Sequence, residues 1–113
     1  MIHEMKLQSK YFNFILNGTK RIELRLNDEK RKLVRLGDTI KFQNIDSIND
    51  VLAAKVIGLL KYPTFKNLLE DFDISILADS SITKLELLNN LQEFYSIDEQ
   101  VENGVLGIKI QVI

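Results

Sequence analysis

Apolar and polar residues alternate along this chain with two different periods, and the switches between periods mark its elements. Phe12, Ile15 and Leu16 recur at helical spacing after Ser9, a residue type that caps helix starts. Gly18 follows directly, where a helix-terminating glycine belongs. The period then changes to two. Ile22, Leu24 and Leu26 alternate with Arg21, Glu23 and Arg25, which predicts a half-buried strand over Ile22–Leu26. Its apolar set would face a core, and its charged set would share the opposite face. Lys20 stands at the entrance of that strand. Asn27 to Lys32 is a charge-dense loop with room for a helical turn. Leu36-Gly37-Asp38 reads as a turn into a strand Thr39–Gln43, with Ile40 and Phe42 on one side.

The second half repeats both periods. Polar, turn-rich Asn44 to Asp50 leads into a long apolar run, Val51 to Tyr62, whose β-branched residues predict a strand paired with Thr39–Gln43. Leu52-Ala53-Ala54 within it would also tolerate helix. Pro63 ends the run, and Thr64 can cap a helix bearing Phe65, Leu68, Leu69 and Phe72. Thr83 and Glu86 have capping-box spacing, with Ile82 and Leu87 placed as a staple. Leu85, Leu88, Leu91 and Tyr95 then predict one apolar helix face. After Asn103-Gly104, a last strand Val105–Val112 sets Leu106, Ile108, Ile110 and Val112 against Val105, Gly107, Lys109 and Gln111. Strands separated by helices, without regular βαβ alternation, predict an α+β fold around a small curved sheet or barrel. The 113 residues hold one proline and no repeat or linker-like stretch, so a single domain over 1–113 is expected.

Composition removes several function classes. With no cysteine there are no disulfides and no thiolate metal site, and a single histidine leaves no basis for a histidine-built one. No metal or cofactor is expected. No apolar run is long enough to span a bilayer and no signal-peptide core is present, so a cytoplasmic protein is expected. The net charge of −1 conceals an asymmetry. Residues 1–41 carry ten Lys/Arg against five Asp/Glu, a balance of +5; residues 42–113 carry five against eleven, a balance of −6. A polyanion responds to local potential, although a fold that mixes the halves would cancel the field. The low overall charge excludes broad, nonspecific duplex binding.

Candidate chemistry gathers in Gly18-Thr19-Lys20-Arg21-Ile22-Glu23-Leu24-Arg25. A carboxylate there can hold an arginine fork in place for a phosphate or a planar polar ligand, while a solvated strand face with an incidental ion pair accounts for the same charges. Lys30, Arg31, Lys32 and Arg35 form a basic loop that could track a phosphate backbone or simply keep the chain soluble. Tyr95 could stack on a base or fill the core. His3 is expected to be structural or exposed.

The pattern Gly18-x-Lys20-x-x-Glu23-x-Arg25 resembles the signature of the ASCH domain, a PUA-like family. The likeness continues through Phe12–Leu16 before it, and through Leu26-x-Asp28-Glu29-Lys30-Arg31 and Gly37-Asp38-x-Ile40-x-Phe42 after it. It extends to Phe65-x-x-Leu68-Leu69 and to Tyr95 with Gly104-Val105-x-x-Ile108. The resemblance implies a β-barrel of about five or six strands with two to four flanking helices, and a cleft lined by the motif. It also implies an RNA- or nucleotide-binding module, with partners among RNA, nucleotides and modified nucleosides. Lys20, Arg21, Glu23, Arg25, Lys30, Arg31, Lys32, Arg35 and Tyr95 would be its contacts. Some members hydrolyse N(4)-acetylcytidine, using a lysine that activates a threonine three residues later, and at least one is a ribonuclease. That threonine position holds Glu23 here, and the region of the acidic partner holds Asp79 and Ser80. Hydrolysis of a modified nucleoside or of RNA, with Lys20 and Glu23 as candidate catalytic residues, is the alternative; recognition is expected ahead of catalysis.

Overall fold

The period-two segments pair into one curled sheet, and the period-3.6 segments cover its outside. The computed structural model describes residues 1–113. In chain order the elements are β1 (Ile2–Leu7), α1 (Ser9–Leu16), β2 (Ile22–Leu26), a 3-10 turn (Arg31–Leu33), β3 (Thr39–Asn44), β4 (Ser47–Tyr62), α2 (Phe65–Glu70), α3 (Ile74–Leu77), α4 (Lys84–Phe94), α5 (Ile97–Asn103) and β5 (Val105–Val112). The strand order is β1-β3-β4-β5-β2, with β1 and β3 parallel and every other pair antiparallel. The result is an α+β half-barrel of five strands. No helix is long and apolar enough to cross a membrane.

The curl gives the sheet two cores. Inside lie Ile40, Phe42, Ala54, Val56, Leu106, Ile108 and Ile110, plugged by Phe12 and Ile15 of α1. Outside, Ile22, Leu24 and Leu26 of β2 pack with Phe65, Leu68, Leu77 and Leu87 from the helices. Gly107 lets the layers approach: a Cβ there would stand 3.1 Å from Leu68 Cδ1 and 3.3 Å from Ile22 Cγ2. This double cover corrects the expectation for β2. Its charged residues do not face solvent, because their register partners on β5, Ile108 for Glu23 and Leu106 for Arg25, belong to the inner core.

Several boundaries differ from expectation for identifiable reasons. Ser9 is the first residue of α1, whose start carries no side-chain cap; its hydroxyl instead accepts from the Asn44 side chain at 3.0 Å. β4 begins at Ser47, four residues early, because Asn44 Oδ1 accepts the Asp46 N–H and closes a tight turn. Thr83 caps α4 through the Glu86 N–H, but Glu86 returns to the Thr83 hydroxyl and not to its backbone, so the box is half-made. Leu85 is exposed; the buried face of α4 runs through Leu87. β1, α3 and α5 stand where the pattern gave no element. β1 does alternate, with His3, Met5 and Leu7 inward. His3 is structural: its Nε2 lies 2.8 Å from Asp38 Oδ2 and ties β1 to the turn before β3.

Candidate functional site

β1 and β2 are the two ends of the sheet, and no strand pairing joins them. The seam between them is spanned by one side chain: Arg25 Nη2 donates to the Lys6 carbonyl at 2.8 Å. On one side of this clasp lies a cavity of about 240 Å³. Lys20, Glu23 and Arg25 form its polar end. Leu7, Tyr11, Ile45, Leu91, Phe94 and Tyr95 supply most of its apolar and aromatic wall.

Local structure sets the polar end. Gly18 at φ +83° ends α1 in a conformation that L side chains rarely adopt, and the next two N–H groups both return to the Phe14 carbonyl. The turn thereby aims Lys20 inward. Short α3 then receives the motif: the Arg21 N–H donates to Ile76 O at 2.7 Å, and Lys20 Nζ to Leu77 O at 2.7 Å. Lys20 Nζ also donates to Ile22 O at 2.7 Å and lies 3.5 Å from Glu23 Oε1. Its three donors are thus engaged. Its face toward the cavity looks onto the Tyr11 ring, 5.8 Å from the centroid. Burial lowers the Lys20 pKa, and the Glu23 carboxylate only partly offsets this.

Glu23 is itself saturated. Oε1 accepts from the Leu24 N–H at 3.1 Å, and Oε2 takes Arg25 Nε at 2.9 Å and Nη2 at 2.8 Å. Burial alone would raise its pKa, but Arg25 and Lys20 outweigh that and hold the carboxyl below its ordinary range. Burial likewise opposes the Arg25 charge, yet Glu23, with the Tyr95 phenol contributing in the same direction, raises its pKa further. Arg25 therefore stays ionised, its Nε and Nη2 held by Glu23 and Lys6 and its charge also facing the Tyr95 phenol. Opposite, Asn90 donates to the Tyr11 hydroxyl at 2.8 Å. Tyr95 leans on Phe65 with centroids 5.6 Å apart. Buried Gln100 of α5 fixes that corner, accepting from the Phe65 N–H and donating to the Tyr95 carbonyl.

Of the sequence candidates, Lys20, Glu23, Arg25 and Tyr95 come together here. Arg21 does not. Its side chain is exposed and reaches back toward Gly18 O at 3.5 Å, because the residue precedes the regular alternation of β2. Lys30 and Arg31 line an adjoining depression, whereas Lys32, 4.0 Å from Glu29, and exposed Arg35 line neither. Asp79 and Ser80 also lie outside the cavity. Lys6 and Asn90 were not anticipated. Asn90 carried a signal, since it shares the helical face of Leu87, Leu91 and Phe94; Lys6 enters the site through a carbonyl, which no side-chain pattern encodes.

A curled five-stranded sheet with helices on its outer face and a motif-lined cleft at its open seam defines a PUA-like module. The ASCH domain model matches residues 5–112, and the chain belongs to that family. The crystal structure of a hypothetical protein, PH0355, is 34% identical with a TM-score of 0.87, and all of each chain is covered. The solution structure of the Pyrococcus furiosus protein PF0455 is 28% identical with a TM-score of 0.78, covering 100% of this chain and 98% of that one. An ASCH domain from Lactobacillus crispatus shares the fold at 16% identity, with a TM-score of 0.69 over 98% of this chain and 79% of the other. No curated protein matches the sequence.

Proposed function

We propose that the cleft binds RNA or a nucleotide by admitting one base into the cavity beside Arg25. The carrying observation is the pre-set guanidinium: Glu23 and Lys6 hold Nε and Nη2, so the remaining edge, beside the Tyr95 phenol, is presented to a ligand carbonyl or phosphate. Tyr11, Phe94 and Tyr95 offer aromatic faces for stacking, and the Asn90 amide offers an edge for hydrogen bonding. At about 240 Å³ the cavity is below the roughly 300–1,000 Å³ usual for drug-sized ligands, and suits a single planar group. Membership of the ASCH family supports the same ligand class. Recognition is favoured over hydrolysis because Lys20 has no free donor or lone pair to offer and Glu23 already accepts on both oxygens.

Titration of the four ribonucleosides and a mixed single-stranded RNA, at fixed salt, tests this. Arg25→Lys keeps the charge but loses the fork, and Asn90→Ala leaves the ion cluster intact. Each should weaken binding about tenfold or more, the loss expected for a good hydrogen-bonded contact. Wild-type affinity in both folded variants would refute base recognition here. Turnover of acetylated cytidine or RNA that disappears in Lys20→Ala would establish the hydrolytic alternative.

A further inference from the structure

Beyond the Arg25 clasp, the cleft continues into a second depression of about 540 Å³ with mostly polar walls. Five cations stand around it: Lys6 from β1, Arg25 from β2, Lys41 from β3, and Lys30 and Arg31 at the 3-10 turn. Glu4 is the one carboxylate among its walls. Lys6, Lys30 and Lys41 have no salt-bridge partner. Arg31 reaches Asp28 only at 3.5 Å, and its Nε is the single buried side-chain polar atom in the chain without a hydrogen-bond partner. Every one of these cations comes from residues 1–41, so the fold concentrates the charge asymmetry and does not cancel it. Arg25 and Lys6 line both this groove and the base cavity.

An apolar slot and a cationic groove sharing one arginine match a base and the phosphates next to it. We infer that the ligand is a single-stranded oligoribonucleotide, with one base in the cavity and the adjoining phosphodiester backbone laid along Lys6, Lys30 and Lys41. This rests on the base recognition proposed above. A duplex is disfavoured because a base that is stacked and paired cannot enter a slot sized for one planar group. A free nucleoside would leave the groove empty.

The test compares ribonucleosides, their 5′-monophosphates, and di-, tetra- and octanucleotides of single-stranded RNA, titrated across a salt series. Wild type is set against the double variant Lys30→Gln/Lys41→Gln, neither of which touches the cavity. The octanucleotide should bind more than about tenfold tighter than the monophosphate. The double variant should keep nucleoside affinity and lose most of the octanucleotide's advantage. Its slope of log K against log salt should shrink by about 1.4, from two phosphate contacts at about 0.7 each on a single strand. If nucleosides bind but octanucleotides bind no tighter, the groove assignment falls and base recognition stands. An unchanged salt slope in the double variant also overturns it, as does displacement of RNA by oligoglutamate at equal charge. Absence of binding by every probe overturns base recognition itself.

Discussion

At the scale of single residues, the charged cluster is internal structure as much as it is a binding surface. Glu23 compensates two buried cations at once, so its removal cannot be a clean probe of ligand contact. Glu23→Ala should cost about 3–5 kcal/mol, the usual penalty for leaving a buried ion without its partner. Arg25→Ala, at a more open position, should cost clearly less. Urea denaturation of both variants checks the order, and equal stability would contradict it. Gln100 is the second critical residue. It is fully buried and satisfies one backbone donor and one backbone acceptor. Gln100→Leu orphans both, so about 2–3 kcal/mol should be lost, read as a fall in the denaturation midpoint. Neither role is visible in composition; each depends on which carbonyl or amide the fold delivers to the side chain.

Among the elements, capping decides what is stable and what was readable. α5 carries a complete reciprocal box, Ser96 taking the Glu99 N–H while Glu99 takes the Ser96 N–H. Ser96→Ala should therefore cost about 1 kcal/mol and loosen the corner holding Tyr95. Amide exchange across Ile97–Asn103 should accelerate in that variant; unchanged protection would deny the cap its importance. β2 and β5 were legible to the residue, because each follows a turn glycine and carries apolar residues at every second position, Ile22, Leu24 and Leu26 in one and Leu106, Ile108, Ile110 and Val112 in the other. α3 was not. Four residues cannot display a helical period, and α3 exists through what it docks, the Arg21 N–H and the Lys20 ammonium. The motif was found in the sequence, whereas its receptor could be found only in three dimensions. Leu85 misled for a related reason: a leucine repeat marks a helix, but packing chooses which stripe is covered, and here Leu87 took the inner position.

Over the whole molecule, four carboxylates, Glu23, Asp38, Asp73 and Asp79, have depressed pKa values that tie stability to acidity. The hydrogen bond with His3 leads the interactions that bring Asp38 down from 3.8 to about 2, and Glu23 is depressed by its two cations against the effect of burial. Both release their protons more readily folded than unfolded. Both contributions are thus complete above the ordinary carboxylate range and are lost on acidification, that of Asp38 as the pH falls from about 4 toward 2. Denaturation midpoints across that range should decline accordingly, and Asp38→Asn should flatten part of the decline. The burial of Lys20 has a practical consequence. The chain has eleven lysines, and the other ten are all exposed, whereas the Lys20 side chain is 2% accessible. An amine-acylating reagent will therefore mark the ten exposed lysines and the α-amino group quickly and reach Lys20 only when the interior opens. The rate at which Lys20 acquires a label is a built-in clock for the opening of the fold around it, readable by mass spectrometry without an introduced probe.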